Sequence, residues 1–341
     1  MPIVSAVVRL GRTQDQGCNF QGGDTMSEIG AFLSSEEHGP RDLLAQAKLA
    51  EVAGMHSIFI SDHFHPWTDR QGESPFVWSV IGAISAATKH RVTTGVTCPT
   101  VRIHPAILAQ AAATSQLLLD GRFVFGVGSG EALNEHILGH RWPGVETRLE
   151  MLEEAVTVIR ELWKGGLVNH HGRYYTVENA RLYSVPPSPP PMAVSGFGPK
   201  AARVAAEIGD GFITVTPDKE MLQTYREHGG TGPALAAVKV CWDRDESQAR
   251  KLAYELWPTT CLSGQLSQEL PMPAHFEAAA EIVTEDMVAD VIACGPDPER
   301  HLRAISEYLE AGFDEVYVNQ IGPDQAGFFD FYAKELVPRL G

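Results

Sequence analysis

The sequence predicts a (β/α)8 barrel of the TIM type with insertions, and three observations carry this prediction. About eight short strand-like segments alternate with helical segments along the chain. The 341 residues suffice for eight such units with insertions, because α/β barrels routinely exceed about 250 residues in one domain. The apolar share of 44% and the charged share of 21% are typical of a globular protein, which excludes disordered, collagen-like and coiled-coil classes.

The predicted strands are short apolar runs rich in β-branched and aromatic residues, which favour extended backbone. They are Glu28–Leu33, Ser57–Ser61, Arg91–Thr97, Arg122–Gly128, Met192–Ser195, Gly211–Thr214, Ala237–Cys241 and Glu315–Val318. Because helical segments separate them, we expect a parallel sheet that is covered by helices.

The predicted helices carry an amphipathic pattern or a terminal signal, such as a proline in the first turn or a glycine at the end. They are Pro40–Gly54, Phe76–Ala87, Pro105–Leu119, Thr147–Trp163, Lys200–Ile208, Asp245–Leu256 and Pro298–Gly312. An insertion at Asn169–Val177 reads as a hairpin, and the proline-rich run after Val185 reads as a stiff connector into the next strand.

The predicted domain organisation is one barrel over residues 26–341, preceded by a flexible extension at residues 1–25. The stretch from Gly11 to Thr25 is polar and glycine-rich and has no helical or strand period. The five cysteines are widely spaced without a Cys-x-x-Cys pair, which suits a reducing compartment, so we expect a cytoplasmic protein. No apolar run reaches the roughly 18 residues that span a bilayer.

The net charge excludes two classes of partner. Lysine and arginine number 27 against 43 aspartates and glutamates, a formal charge of −16. Such an acidic body repels phosphate backbones and anionic lipid, so neither nucleic acid nor a membrane surface is an expected partner. A small molecule is the expected ligand, and an anionic one would need a local cluster of donors.

Polar residues crowd the junction after the second predicted strand, where the reactive groups of barrel enzymes lie. Asp62, His63, His65 and Trp67 follow the buried run Ile58–Ile60. A partly dry imidazole beside a carboxylate is suited to act as a general base near neutral pH. The alternatives are a loop histidine bonded to backbone and a His-x-His zinc site, but later strand ends supply no further ligands, so no metal is predicted.

Two later junctions are rich in glycine. After the fourth strand, Gly128 and Gly130 precede Glu131, a candidate proton donor or acceptor, and Asn134 is suited to orient a ligand. The alternative role for Glu131 is to cap the next helix. After the fifth strand, Gly198 and its neighbours lead into a helix, whose free N–H groups favour an anion such as phosphate. An ordinary tight turn is the alternative there.

Together these segments resemble the luciferase-like oxidoreductase superfamily, and within it the coenzyme F420-dependent glucose-6-phosphate dehydrogenase family. The motifs are Ser-Asp-His-Phe-His-Pro-Trp at 61–67, Gly-Val-Gly-Ser-Gly-Glu-Ala-Leu-Asn-Glu at 126–135, Glu-Leu-Trp at 161–163 and Gly-Asp-Gly-Phe-Ile at 209–213. They occur in family order and spacing, and the resemblance covers about residues 27–341. It implies a homodimeric barrel that binds a deazaflavin, coenzyme F420.

The resemblance also implies roles for individual residues. His63 would take the hydroxyl proton as a hydride leaves the same carbon, and Trp67 would pack over the reacting centre. Glu131 would serve the coenzyme ring, and Glu36 would be a further carboxylate of the pocket. Positions that match coenzyme contacts are Asp62, Gly95, Val96, Cys98, Ser129, Gly130, Asn134, Phe197, Gly198, Lys200 and Ala201. Gly95–Val96 matches a cis peptide, and Cys98 replaces a hydroxyl residue.

The substrate end departs from the family pattern. Asp218, Ser267 and Asp290 fall where the family has two lysines and an arginine that hold phosphate, and only Lys219 lies nearby. Charge-assisted hydrogen bonds contribute about 1.5–3 kcal/mol each, so losing three costs on the order of 4–9 kcal/mol. We therefore expect a hydride transfer at an alcohol or sugar carbon without phosphate, or its reverse. The alternatives are an FMN-dependent luciferase-like monooxygenase, a metal-dependent hydrolase and a coenzyme-binding barrel without catalysis.

Overall fold

A computed structural model of the chain describes residues 28–262 and 264–340. The strands are β1 Glu28–Leu33, β2 Ser57–Ile60, β3 Arg91–Thr94, β4 Phe123–Val127, β5 Val168–His171, β6 Thr176–Ala180, β7 Met192–Ser195, β8 Gly211–Thr214, β9 Ala234–Cys241, β10 Ala293–Cys294 and β11 Glu315–Gln320. The predicted extension at residues 1–25 lies outside the described residues, so it stays a prediction.

The α-helices surround these strands. They are α1 Pro40–Val52, α2 Val77–Ala87, α3 Pro105–Leu118, α4 Ala132–Glu135, α5 Val145–Trp163, α6 Pro199–Ile208, α7 Lys219–Glu227, α8 Glu246–Leu256, α9 Leu266–Glu269, α10 Pro273–Ala280, α11 Glu285–Val291, α12 Pro298–Ala311, α13 Gln325–Phe331 and α14 Val337–Leu340. Within the described ranges, none of these helices is long and apolar enough to cross a membrane.

Eight parallel strands close into a barrel in the order β1-β2-β3-β4-β7-β8-β9-β11, with β11 pairing back onto β1. The short strand β10 extends the sheet at the end of β9, and β5 with β6 forms an antiparallel hairpin outside the barrel. The predicted (β/α)8 fold with insertions and the predicted hairpin are thus confirmed. All eight predicted strands belong to the barrel, although β9 begins three residues earlier than predicted, at Ala234.

The barrel interior is filled by large side chains rather than left open, as is usual for this architecture. Phe59 of β2 and Tyr317 of β11 lie at its centre, with their ring centroids 5.0 Å apart. Immediately above, a Cβ atom on Gly95 would stand 1.9 Å from the Phe59 ring, so only glycine fits there. This apolar plug closes the barrel below its carboxyl end, where the loops after the strands come together.

Candidate active site

Three predicted site residues meet at the carboxyl ends of β1, β2 and β4. The His63 Nε2 atom lies 3.4 Å from Glu36 Oε1 and 3.7 Å from Glu131 Oε2. The His63 residue is 9% exposed, and the Glu36 residue is 2% exposed. The carboxyl ends of parallel barrel strands share one face, which is why residues so far apart in the chain converge here. An imidazole nitrogen between two carboxyl groups is a place where a proton can be held or passed on.

Glu36 is held by two serine hydroxyl groups. Its Oε2 atom accepts hydrogen bonds from Ser34 Oγ at 2.9 Å and from Ser61 Oγ at 2.7 Å. These bonds come from the ends of β1 and β2, and they leave Oε1 directed at His63. The side chain is therefore fixed before any ligand arrives.

His63 is oriented through its other ring nitrogen. The Nδ1 atom lies 3.1 Å from Asn134 Nδ2, which donates to it when Nε2 carries the ring proton. It also lies 3.1 Å from the His65 carbonyl oxygen, which accepts its N–H when Nδ1 carries the proton. That tautomer leaves a lone pair on Nε2, the form required of a base. Asn134 braces the loop, because its Oδ1 accepts from the backbone N–H groups of Phe64 and His65.

Glu131 is the more exposed of the two glutamates beside His63, with 27% of its side chain exposed. Burial raises the pKa of its carboxyl group, whereas the nearby His63 acts in the opposite direction. Its Oε2 atom accepts a hydrogen bond from Asn134 Nδ2 at 3.2 Å. A raised pKa keeps a larger share of this group protonated near neutral pH, which suits a proton donor.

Trp67 forms an aromatic wall beside the imidazole. Its ring centroid is 5.1 Å from that of His63, and on the other side 5.2 Å from that of Phe276 in helix α10. The edge-on contact with Phe276 holds the indole in place. The structure thus brings His63, Trp67, Glu131 and Glu36 together as the sequence predicts.

The loop after β3 supplies a flat surface of small residues next to this cluster. The peptide bond between Gly95 and Val96 is cis, as the family resemblance implies. A Cβ atom on Gly128 would stand 2.8 Å from Val96 Cγ2, and Gly130 has φ +93°, a conformation that favours glycine. Cys98 follows on the same loop, and burial raises the pKa of its thiol.

A buried ion network supports that surface. Asp62 accepts hydrogen bonds from Arg102 Nη2 at 2.8 Å and from Thr97 Oγ1 at 2.7 Å. Glu135 accepts from the backbone N–H groups of Val101 and Arg102. Both carboxylate oxygens of Asp62 are therefore engaged within the protein, so its side chain joins the loops after β2 and β3. Asp62 is a predicted coenzyme contact, whereas Arg102 and Glu135 are not among the predicted site residues.

The remaining predicted coenzyme positions lie at the ends of β4 and β7, which are neighbouring strands. Ser129 follows β4, and Gly198 caps helix α6 without a side chain, so first-turn N–H groups stay available to an anion. Phe197 is 51% exposed beside them, and Ala201 lies in the first turn of α6. The Lys200 ammonium forms an ion pair with Glu146 of helix α5.

Four polar or aromatic residues at this end of the barrel are not among the predicted site residues. Lys239 lies in the predicted strand Ala237–Cys241, and Asn319 directly follows the predicted strand Glu315–Val318. Glu37 contacts Trp257 through a hydrogen bond of 2.6 Å. The usable signal is a lysine or an amide in the middle of an otherwise apolar strand. Within the described ranges, no three His, Cys, Asp or Glu side chains are arranged to hold a metal ion.

Comparison with known proteins identifies the family. The family profile described as luciferase-like monooxygenase matches residues 22–315. The chain belongs to this family. Two relatives are described as F420-dependent glucose-6-phosphate dehydrogenases. The relative of Beutenbergia cavernae is 35% identical over 333 residues, covering 92% of this chain and 98% of the relative. That of Nocardia farcinica is 35% identical over 329 residues, with the same two shares of 92% and 98%.

Two solved structures share the fold of this chain. An F420-dependent secondary alcohol dehydrogenase, in complex with an F420–acetone adduct, superposes with a TM-score of 0.86 at 32% identity, covering 92% of this chain and 99% of the other. The F420-dependent tetrahydromethanopterin reductase of Methanopyrus kandleri superposes with a TM-score of 0.73 at 21% identity, with the same shares of 92% and 99%. The second likeness concerns the fold alone.

Proposed function

We propose that this protein is a coenzyme F420-dependent dehydrogenase or reductase that transfers a hydride between a CH–OH carbon and the deazaflavin. The observation that carries this proposal is the position of His63 Nε2 between Glu36 and Glu131 at the carboxyl end of the barrel. The relatives named above, at 35% identity, are F420-dependent dehydrogenases. The superposition on an F420-dependent secondary alcohol dehydrogenase supports the same chemistry.

The residues present fit a flat coenzyme with an anionic tail. Gly95, Val96 and Gly128 leave a surface on which a planar ring can lie, and the close Gly128–Val96 packing admits no larger side chain. Ser129, Gly130 and Cys98 would flank the ring, while Gly198, Lys200 and Ala201 would hold the tail at the start of α6. Bound coenzyme F420 would supply the hydride acceptor or donor.

The proton steps follow from the protein's own side chains. When Nδ1 carries the ring proton and bonds to the His65 carbonyl oxygen, His63 Nε2 takes the proton of the substrate hydroxyl group. The Glu36 carboxylate then faces the positive imidazolium across 3.4 Å and stabilises it. Glu131, whose pKa is raised by burial, is the proton donor on the coenzyme side. Trp67 packs beside the imidazole, with the two ring centroids 5.1 Å apart.

We further propose that the substrate carries no phosphate group. Asp218, at a position where the family resemblance implies a phosphate-binding cation, caps helix α7 by accepting from the Met221 N–H. Asp290 is exposed on α11, and Lys219 is exposed at the start of α7. Acidic groups in these places would repel a phosphate ester.

We also propose that the enzyme works as a homodimer in the cytoplasm, with residues 1–25 as an extension outside a single barrel domain. Apolar side chains exposed on neighbouring helices support an interface, with Phe76 next to α2, Ile107 in α3 and Leu118 in α3 each at least half exposed. Widely spaced cysteines support a reducing compartment.

The test is a coenzyme titration followed by turnover. We expect F420 to bind more tightly than FMN and its absorbance to fall when a secondary alcohol is added. His63→Ala should lower kcat by about 10²–10⁴-fold, the usual contribution of a general base, with F420 affinity little changed. His140→Ala, at an exposed loop position, is the matched control. Preferential FMN binding with oxygen consumption would instead favour the monooxygenase alternative.

A further inference from the structure

Two polar side chains point into the barrel at its carboxyl end and have no part in the proton steps above. Lys239 of β9 and Asn319 of β11 are register partners on neighbouring strands. Two residues earlier on the same strands, Ala237 and Tyr317 pack into the interior cluster around Phe59. Since side chains alternate along a strand, Lys239 and Asn319 face the same interior, one layer closer to the mouth.

The Lys239 ammonium has unused hydrogen-bond donors. Its Nζ atom lies 4.4 Å from the centre of the Trp257 ring, a cation–π contact. Across residues 28–262 and 264–340, no carboxylate lies within 4.0 Å of Nζ and no hydrogen bond to it forms. Glu36, Glu37 and Glu131 are still close enough to favour its charged form, whereas burial lowers its pKa. Lys239 therefore lies at the same end of the barrel as the carboxyl groups that flank His63.

Asn319 also has hydrogen-bonding groups without partners, and it is more deeply buried than Lys239. The residue is 1% exposed, and neither its Oδ1 nor its Nδ2 atom finds a hydrogen-bond partner among the described residues. An amide buried without partners is costly, and such groups are almost always bonded in native proteins. A donor and an acceptor are thus presented together beside a positive group that is also without a bonded partner.

We propose that Lys239 and Asn319 form a second polar subsite, which binds a further hydroxyl group of a neutral, polyhydroxylated substrate while His63 faces the carbinol being oxidised. A hydroxyl group both donates and accepts, so it satisfies the Lys239 ammonium and either atom of the Asn319 amide. The Glu36 carboxylate is close enough to act on the charge of Lys239 and would repel a carboxylate or a phosphate in this place. This inference rests on the proposed dehydrogenase function.

The test compares substrates that differ in the number of their hydroxyl groups and in their charge. With F420 as coenzyme, kcat/KM is measured for propan-2-ol, for neutral diols of graded spacing, for glucose and for lactate. The wild type should prefer the best polyhydroxylated substrate over propan-2-ol by about tenfold or more, the effect of one hydrogen bond to a charged group. Lys239→Met and Asn319→Leu should each reduce that ratio by roughly tenfold, mainly through KM.

Controls separate the subsite from general damage. Lys251→Met removes an exposed lysine of α8 and should leave the ratio at its wild-type value. Lys239→Arg keeps the charge and the donors and should retain part of the preference, even if the methionine variant folds poorly. F420 affinity, measured by fluorescence, reports on the fold of each variant.

Several results would overturn the inference. Equal use of propan-2-ol and every polyhydroxylated substrate by the wild type would exclude the subsite, and so would a ratio unchanged in both variants. A preference for lactate would show that the subsite selects anions. In these three cases the dehydrogenase function stands. If no alcohol reduces bound F420, the proposed function itself fails and the inference fails with it.

Discussion

Glu36 differs from Glu131 in how firmly it is fixed beside the imidazole. Two serine hydroxyl groups hold its Oε2 atom, and the residue is 2% exposed, whereas the Glu131 side chain is 27% exposed. When His63 takes a proton, its new positive charge faces Glu36 across 3.4 Å in surroundings that screen charge poorly. The contact therefore strengthens as the proton moves, and this is the condition for an effect on kcat.

The substitution Glu36→Gln tests this role. The amide keeps the shape but removes the negative charge that stabilises the imidazolium. Since hydrogen bonds to charged groups contribute about 1.5–3 kcal/mol, we expect kcat to fall by roughly 10–100-fold with a small change in KM. Steady-state F420 reduction measures both constants.

Glu73→Gln is the matched control, because Glu73 is exposed and its backbone N–H donates to the Glu36 carbonyl oxygen without involving its carboxylate. An unchanged kcat in Glu36→Gln, with the control also unchanged, would assign Glu36 a purely structural place in the pocket.

How much of the site the sequence predicts depends on where a residue stands in its element. His63, Trp67 and Glu131 lie in the loops after β2 and β4, where the reactive groups of barrel enzymes are expected, so the sequence singles them out. Lys239 and Asn319 lie inside strands, where the alternation of faces is known but the depth of each layer in the barrel is not. Lys239 and Asn319 are neighbours because β9 pairs with β11, although a long helical segment separates these two strands in the chain. Only the folded barrel sets the register of that pairing.

At the scale of elements, Glu37 joins three segments that are distant in the chain. It follows β1, and it accepts hydrogen bonds from Trp257 Nε1 at 2.6 Å and from the Gly322 N–H at 3.0 Å. Trp257 ends helix α8, and Gly322 follows β11. Burial raises the pKa of Glu37 to about 7, with the two hydrogen bonds acting in the opposite direction. Ionising this carboxyl group therefore costs stability.

The substitution Glu37→Gln tests this cost of ionisation. It removes the ionisable group, so the stability of the variant should depend on pH differently from that of the wild type. A carboxyl group with a folded pKa of about 7 and an ordinary value of 4.5 adds stability below pH 4.5, which is lost as the pH rises through 7. The free energy of unfolding of the variant, relative to the wild type, should therefore rise between pH 5 and pH 8. We expect a rise of roughly 1–3 kcal/mol.

Urea denaturation across this pH range measures the difference. The amide also loses one of the two hydrogen bonds at every pH, and this constant offset does not affect the slope. Glu281→Gln, at an exposed position after α10, should show no such rise. A difference between Glu37→Gln and the wild type that does not vary with pH would contradict the raised pKa.

Elements were predictable where the local pattern is strong. The local pattern predicts all eight barrel strands, because each is a short β-branched or aromatic run, but it does not assign helices α7, α9, α10, α11, α13 and α14. These helices are short and depend on tertiary contacts. The α9 residues Gln268 and Glu269 bond to the buried Arg148, and Phe276 of α10 packs on Trp67. Helices of this length are marginal alone, so their formation is decided by packing that a local pattern does not contain.

At the scale of the whole molecule, the charge distribution supports the proposed substrate without a phosphate group. The net charge is −16, and two of the three positions that match the family's phosphate-binding cations are aspartates, Asp218 and Asp290. The relatives named above are glucose-6-phosphate dehydrogenases, so the overall likeness and the local charges point to different substrates. Local charges decide the affinity for a phosphate group, because that group contacts only a few side chains.

We therefore expect the wild type to use glucose 6-phosphate no better than glucose, judged by kcat/KM with F420 at low and at high ionic strength. The double variant Ser267→Lys with Asp290→Arg should raise the ratio of phosphorylated to free sugar by about tenfold, and salt should reduce that gain because it screens exposed charges. Asp218 is left unchanged in this variant, since its loss would cost about 1 kcal/mol of helix capping. A wild-type preference for glucose 6-phosphate that weakens with salt would mean that other cations, Lys219 first among them, replace the missing cluster.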